Sequence, residues 1–330
     1  MKNANRLLIA ALALVGTSAA LAQSSVTLYG RVNTTVERQK VGSVSNTGLF
    51  NNSSRFGFKG VEDLGGGLKA GFQLESGFNS DTGAGSGWTH PTSGMSFARQ
   101  SEVNLSGGFG MIRLGNFTPE SYYATADYVS LHNHDTGSSS DAFYQDPVWF
   151  GGLSTKNKVG YRTPTLLGGL TVDASVSLHE KATGVNKNGY DLAANYNLGA
   201  LHLGAGYSQV DDDKQLGLRA LYTFGQFTVG GYYQRNDEDV AGTRNNYRLS
   251  GMYALGASEF HVNVGRAAKW SNIADSAATQ WTLGYNYNLS KRTKAYAYYT
   301  KVDNKNGASY MSGAAGDDFS SFALGVRHNF

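Results

Sequence analysis

The amino-acid sequence predicts an all-β protein: one sixteen-stranded antiparallel barrel that spans a membrane, with a long third loop folded into its lumen. Three observations lead to this prediction. Apolar and polar residues alternate in runs of about ten along most of the chain, the connections between runs are short and long in turn, and the alternation stops once, over residues 118–155. An even number of such strands, with short turns at one rim and long loops at the other, is typical of outer-membrane barrels.

Residues 1–22 have the features of a secretory signal peptide. Lys2 and Arg6 form a basic start, residues 7–15 are apolar, and residues 20–22 form a small-residue cleavage site. Such a segment is too short to cross a bilayer as a helix. We therefore expect export and cleavage, which would leave residues 23–330 as a single barrel domain.

The strands are assigned from the alternation. In the third run Leu68, Ala70 and Phe72 share one face, whereas Lys69 and Gln73 share the other, as expected when successive side chains point to opposite sides of a strand. The sixteen runs lie near residues 25–37, 54–62, 68–78, 95–107, 109–117, 156–164, 169–180, 188–198, 201–210, 215–224, 227–235, 244–254, 259–267, 278–289, 293–303 and 319–330. Long polar loops are expected at residues 39–53, 79–94, 235–243, 268–277 and 304–318.

A soluble β-sandwich would also need an apolar face, so alternation alone leaves two architectures open. Three features favour the membrane barrel. Aromatic residues gather near strand ends, as interfacial girdles require, the opposite faces carry charges and glycine, and the last strand run reaches the aromatic residue Phe330. Sixteen strands enclose an aqueous interior, whereas about eight are filled by side chains.

Composition and charge exclude several other classes. The chain has no cysteine, which removes disulfides and thiolate chemistry, and no run of 18 apolar residues that could form a transmembrane helix. Loss of Lys2 and Arg6 with the signal peptide would lower the formal net charge from +3 to about +1. No concentrated basic surface points to nucleic acid, and we expect neither a cofactor nor a metal.

Residues 118–155 are too aromatic for a disordered linker and too long for an ordinary connection. The stretch also carries five acids, which are Glu120, Asp127, Asp135, Asp141 and Asp146. An aromatic, acidic insert between two barrel strands must pack against something. We interpret it as a loop folded into the lumen, where it narrows a pore.

Five motifs resemble the general porins of Gram-negative outer membranes, and most of all the trimeric porins of beta-proteobacteria. The motifs are SSVTLYG at 24–30, SRFGFKGVEDLGGGLKAGFQLESGF at 54–78, FARQSEVNLSGGFG at 97–110, YNLSKRTKAYAYY at 287–299 and GVRHNF at 325–330. The resemblance covers essentially the whole chain after the signal peptide. It implies a homotrimer and passive diffusion of ions and small hydrophilic solutes.

The resemblance also implies a constriction at which basic wall residues face acids of the third loop. Wall arginines are expected at Arg55 and Arg99, with Arg162 as a third, and Glu75 matches the acid of the FQLE motif. The loop acids assigned to the constriction are Asp127, Asp135 and Asp141. An alternative role for the arginines is to hold the loop through bidentate pairs with its acids, and we expect Arg55, Arg99 and Arg162 to serve both roles.

Two positions on the early strands complicate this interpretation. The strand before the loop ends with Asn116, where the resemblance leads us to expect a basic residue. Arg99 shares a face with Val103 and Leu105, so both faces of its strand look mixed. A subunit contact or a β-bulge would explain the mixing equally well. Arg31 and Lys59 are expected on the lumen wall.

Two motifs could suggest a metal, and in both a packed or solvated loop is the simpler interpretation. His132, His134 and Asp135 lie in the long loop, and residues 211–213 are three consecutive aspartates that could offer oxygen ligands to calcium. No Ser-His-Asp set stands out, so we do not expect an enzyme.

The sequence therefore predicts a general diffusion porin of the Gram-negative outer membrane, with a weak anion preference. The alternative is a substrate-specific channel for a sugar or an organic anion, for which Tyr29, Tyr232 and either Tyr296 or Tyr298 are the signs of an aromatic path. Expected partners are a homotrimer, outer-membrane lipid and lipopolysaccharide, and the barrel-assembly machinery. In the family a terminal aromatic strand resembles the signal that this machinery reads, and Phe330 would supply it.

Overall fold

The computed structural model describes residues 25–86, 96–127, 129–131, 137–150, 156–180 and 186–330, with residues 149 and 150 described by their backbone alone. The expected signal peptide, Asp135, and the pair His132 and His134 lie outside the described residues. In the described parts of the chain, no helix is long and apolar enough to cross a membrane.

The chain forms one closed antiparallel sheet. The described residues contain 18 strand segments, which make sixteen strands, because β2 and β3 pair with successive parts of β1, and β5 and β6 pair with successive parts of β4. The segments are β1 Ser25–Val41, β2 Val44–Asn51, β3 Arg55–Gly65, β4 Leu68–Phe78, β5 Gly85–Ser86, β6 Gln100–Gly107, β7 Gly110–Asn116, β8 Lys158–Arg162, β9 Leu170–Ser177, β10 Gly189–Leu198, β11 Leu201–Val210, β12 Asp213–Phe224, β13 Phe227–Glu238, β14 Gly242–Leu255, β15 Ser258–Ala267, β16 Ala278–Asn288, β17 Thr293–Asn304 and β18 Phe319–Asn329. The sheet closes where β1 pairs with β18, from Arg31 opposite Asn329 to Val41 opposite Phe319. The predicted fold class is confirmed.

The barrel is apolar outside and polar inside, which is the reverse of a soluble protein. On β14, Leu249 is 71% exposed whereas the neighbouring Arg248 is 1% exposed. On β1, Val26 and Leu28 point outwards and are exposed, whereas Asn33 is buried. Polar residues inside and a hydrophobic outer band are the pattern of a transmembrane β-barrel, and they exclude the β-sandwich.

An aromatic ladder follows the outer surface near the rim with short turns. Phe224, Phe227, Tyr253 and Phe260 lie side by side on β12 to β15, with successive ring centroids 5.6, 4.7 and 6.4 Å apart. The ladder occupies the level at which the turns leave the sheet, at residues 225–226 and 256–257. It fits the interfacial girdle expected from the sequence.

Two of the expected long loops are instead short turns between strands that extend further than predicted. β1 continues to Val41 and β2 begins at Val44, within the expected loop 39–53, and β13 continues to Glu238 within the expected loop 235–243. These strand ends carry polar residues on both faces, such as Asn46 and Thr47 on β2. Without an apolar face the alternation disappears, although the backbone pairing continues.

The third loop connects β7 to β8, and its described residues contain three short helical elements. These are α1 Glu120–Thr125, a 3₁₀ turn Gly137–Ser139 and α2 Pro147–Phe150. The side chain of residue 119, a proline, provides no cap for α1. The carboxylate of Asp191 on β10 supplies it instead, since its Oδ1 accepts the backbone N–H groups of Glu120 at 2.9 Å and Ser121 at 3.2 Å. The start of α1 is therefore determined by the barrel wall.

Glycines on β11 and β12 make room for α1 against the wall. A Cβ atom at Gly204 would overlap the carbonyl oxygen of Ala124, and one at Gly206 would lie 2.8 Å from the Cα of Ser121. A Cβ at Gly217 would lie 2.6 Å from the Cγ2 of Thr125. Only glycine allows the helix to approach the sheet this closely.

Candidate functional site: the lumen constriction

The third loop crosses the lumen and is attached to the wall on both sides. α1 packs against β10, β11 and β12. On the far side, the Ser138 hydroxyl donates to Oε2 of Glu37 on β1 at 2.6 Å, and the hydroxyl of Tyr298 on β17 donates to Oε1 of the same carboxylate at 2.8 Å. Because these anchors lie on different parts of a closed barrel, the loop must reduce the open cross-section.

Asp141 anchors the middle of the loop to β14. Arg248 Nη2 donates to Asp141 Oδ1 at 2.8 Å and Arg248 Nε donates to Oδ2 at 3.0 Å, a bidentate pair. The hydroxyl of Tyr232 on β13 donates to the same carboxylate. Burial would raise the pKa of Asp141, but the Arg248 guanidinium and the Tyr232 hydroxyl hold this pKa below its usual range. Asp141 thus fixes the loop with its carboxylate enclosed.

The predicted residues Arg55, Arg99 and Glu75 lie together in one cluster on the wall. Arg99 Nε donates to Glu75 Oε1 at 2.8 Å, and Arg55 Nε lies 3.8 Å from the same oxygen. The Arg99 and Arg55 side chains are 27% and 19% exposed, more than the 12% of Glu75. Two guanidiniums therefore share one carboxylate, and they reach the lumen more than the acid does.

The mixture of polar and apolar residues on both faces around Arg99 has a simple explanation. Arg99 precedes β6, which begins at Gln100, so the alternation of the strand does not apply to it. Within β6 the faces are clean, since Glu102 and Asn104 point inwards and Val103 points outwards. Neither a bulge nor a subunit contact is needed to bring Arg99 to the lumen.

A second cluster joins the neighbouring strands to the start of α1. Arg162 on β8 contacts Glu120 at 2.9 Å through Nη2 and Asp173 on β9 at 2.6 Å through Nε. Arg113 on β7 contacts Glu102 at 2.7 Å and also pairs with Glu120. Two arginines and three carboxylates form a continuous network here.

Arg113 is the basic residue that the sequence reasoning missed. It lies inwards between Ile112 and Leu114, which point outwards, so the alternation of β7 would have identified it. Asn116, where a basic residue was expected, donates from Nδ2 to the carbonyl oxygen of Ala98 at 2.8 Å. Asn116 thereby holds the segment that presents Arg99.

Arg31 and Lys59 both lie on the inner face of the wall. Arg31 on β1 is directly opposite Arg55 on β3, and its Nε donates to Oδ1 of Asn329 at 3.2 Å. The ammonium of Lys59 lies 5.3 Å from the centre of the Tyr29 ring. Together with Arg55 and Arg99, these residues place several cationic groups on β1, on β3 and on the segment that precedes β6.

Asp127 is largely buried, at 8% exposure, immediately after α1, and its backbone N–H donates to the carbonyl oxygen of Tyr122 at 3.2 Å.

Phe330 lies on the outer surface at the closure of the barrel. It exchanges two backbone hydrogen bonds with Gly30, of 3.0 and 3.1 Å, and its ring covers Gly30, where a Cβ would meet the ring atoms.

A closed sixteen-stranded barrel with an apolar exterior, a polar lumen and an inward loop defines a channel-forming protein of the outer membrane. The chain belongs to the Gram-negative porin family, whose match covers residues 9–307. It is thus an outer-membrane porin, as the sequence motifs predicted.

The chain is similar to known porins over nearly its full length. It is 32% identical to outer membrane porin protein 32 of Delftia acidovorans, covering 98% of this chain and 99% of the relative. It is 28% identical to an outer membrane porin protein of Bordetella pertussis, with the same shares covered. Among solved structures, the anion-selective porin from Comamonas acidovorans superposes with a TM-score of 0.77 at 30% identity, covering 93% of this chain and 100% of that one.

Proposed function

We propose that this porin prefers anions, and that its narrowest section lies between the wall arginines Arg55, Arg99 and Arg162 and the third loop. The observation that carries the proposal is the pair of arginines that share Glu75, since both arginine side chains are more exposed than the side chain of Glu75. A similar barrel is described as an anion-selective porin. Fixed charges at a narrow section bias which ions pass.

The mechanism is passive diffusion through a water-filled lumen. The strands satisfy their own backbone groups, as lipid demands, and the inner faces remain polar and hydrated. The third loop limits the diameter, because Arg248 and Glu37 hold it across the lumen. In the proposed arrangement Asp127 supplies negative charge from the loop side, opposite the wall arginines.

Single-channel recording in a planar bilayer under a salt gradient tests the proposal. For the unmodified protein we expect openings in steps of three and a reversal potential of the sign that anion preference gives. Arg99→Ala should move the reversal potential towards cation preference. Arg266→Ala is the matched control, because Arg266 is exposed on β15 and points away from the lumen. An equal shift in both variants, or none in Arg99→Ala, would refute the site assignment.

The resemblance to trimeric porins supports a homotrimer, and residues 1–22 are proposed as the signal peptide that directs export. The exposed apolar band of the barrel suits contact with outer-membrane lipid and lipopolysaccharide. Light scattering of the detergent-solubilised protein, corrected for detergent, measures the oligomer directly. N-terminal sequencing of the exported protein should begin at Gln23, and a start at Met1 would overturn the proposed cleavage.

A further inference from the structure

A recess in the inner wall lies below α1, on the side of the loop that faces the short turns. It has a volume of about 350 Å³ and is open to the lumen. β8 to β12 form its floor and Tyr123 of α1 forms one edge. The volume lies in the range of sites for small ligands, whereas the Arg55–Glu75–Arg99 cluster is not part of its lining.

The arginines of the recess are bonded to other groups of the protein. Arg162 lines it together with Asp173, and Arg162 is paired with both Asp173 and Glu120. Arg219, the second arginine of the lining, donates to the carbonyl oxygen of Tyr123 at 3.1 Å and to Asn195 Oδ1 at 3.0 Å. Both guanidiniums are therefore already engaged by protein oxygens, and His202 also lines the recess. An anion that entered here would have to compete with Asp173 and Glu120 for Arg162.

The remaining lining is rich in uncharged groups that both donate and accept hydrogen bonds. Asn195, Asn197 and Thr171 contribute amides and a hydroxyl, and Tyr123 contributes an aromatic ring beside them. Arg219 is buried and its two contacts fix the positions of Asn195 and of the Tyr123 backbone. Hydrogen-bond donors and acceptors in fixed positions beside an aromatic ring are complementary to an uncharged solute with many hydroxyl groups.

We propose that this recess is a binding site for a neutral polyhydroxylated solute of monosaccharide size on its way through the lumen. The inference rests on the proposed diffusion function, because the solute must enter through the channel, but it adds a saturable site away from the Arg55–Glu75–Arg99 cluster. A sugar bound here would contact Arg162 of the proposed constriction, but neither Arg55 nor Arg99.

Direct binding tests this inference independently of conduction. Saturation-transfer NMR would be recorded with glucose and with gluconate, on the folded protein in a detergent without a sugar headgroup. We expect transfer to glucose that saturates at millimolar concentration and is several-fold stronger than transfer to gluconate. Asn197→Ala should weaken the glucose signal several-fold. Asn104→Ala, an inward asparagine of β6 on another part of the wall, should leave it unchanged.

The outcomes separate the two proposals. No glucose transfer, equal loss in both variants, or stronger binding of gluconate that depends on Asn197 would overturn the recess proposal, even if Arg99→Ala shifts ion selectivity as expected. Asn197-dependent glucose binding in a protein without anion preference would support the recess and refute the selectivity proposal. Heat-dependent migration in gel electrophoresis confirms that each variant is folded before it is measured.

Discussion

At the scale of single residues, the lumen uses arginine in two ways that exposure distinguishes. Arg248 is enclosed, and its bidentate pair with Asp141 holds the third loop. Arg99 and Arg55 are partly exposed and share a carboxylate, so their charge remains available to permeating ions. Both roles were expected of the wall arginines, but the main loop anchor is a residue of β14 that lies outside the recognised motifs.

Replacement of Arg248 should release the loop. Arg248→Met leaves the Asp141 carboxylate buried with its guanidinium removed, and breaking a buried pair in this way costs about 3–5 kcal/mol. The loop should detach for part of the time, which would give larger and noisier single-channel currents. The double variant Arg248→Met, Asp141→Asn should be quieter than the single variant. Currents identical to those of the unmodified protein would show that the other anchors suffice.

The same pair predicts how the channel responds to acid. Because the folded protein holds the pKa of Asp141 below that of a free aspartate, the anchor contributes fully above the free value, near 3.9. It is lost only as the pH falls through the depressed folded value. Current noise should therefore stay constant from neutral pH to about pH 4 and rise below it. Asp141→Asn should remove this onset, and an onset that persists in this variant would assign it to another group.

At the scale of elements, the third loop shows why a strand can be predicted more easily than a loop. Each strand pairs with its neighbours and keeps one face in lipid. The alternation of apolar and polar residues that identifies it therefore lies within the sequence of the strand itself. The start of α1 depends on Asp191, 70 residues further along the chain, and Asp141 depends on Arg248, 107 residues away. The location of the loop was predictable from its composition, but its fold was not, because its partners lie on distant strands.

The close approach of α1 to the wall gives a test at this scale. A methyl group at Gly204 would overlap the Ala124 carbonyl oxygen, and overpacking of this kind costs about 1–3 kcal/mol. Gly204→Ala should push α1 into the lumen and lower the conductance while the barrel still folds. Gly251→Ala is the control, because its Cβ would lie at an ordinary 3.6 Å from Val262. Equal conductance in the two variants would mean that the backbone of the barrel wall shifts to accommodate the methyl group and that α1 does not move.

The terminal strand gives a second test. Phe330 covers Gly30 where β18 meets β1, so the ring could serve the closed barrel, the assembly machinery or both. If it is an assembly signal, Phe330→Ala should reduce the amount of trimer in the outer membrane several-fold, whereas the purified variant should refold in detergent as well as the unmodified protein. A matching loss in both experiments would assign Phe330 to barrel stability alone.

At the scale of the whole molecule, the barrel separates three environments that a soluble core would combine. The outer face contacts lipid, the strand ends lie at the membrane interface, and the inner face contacts water. The residue pattern of each strand therefore reflects three different environments. The prediction succeeded where the lipid face is apolar. Where the strands leave the membrane, it ended β1 and β13 too early and missed β2. Arg113 was missed for a different reason: the alternation of β7 places it inwards, but the family resemblance pointed to residue 116.

The proposed selectivity is a property of the whole lumen and should depend on salt. The Debye length is about 10 Å at 0.1 M and about 3 Å at 1 M, so cationic groups such as Arg31, Arg55 and Arg99 act across the pore only at low ionic strength. The chloride-to-potassium permeability ratio should therefore be largest in dilute salt and approach the free-solution mobility ratio at 1 M. Arg55→Ala combined with Arg99→Ala should flatten this dependence. A ratio that stays constant with salt would mean that the preference comes from size or direct binding, and that fixed charge in the lumen does not set it.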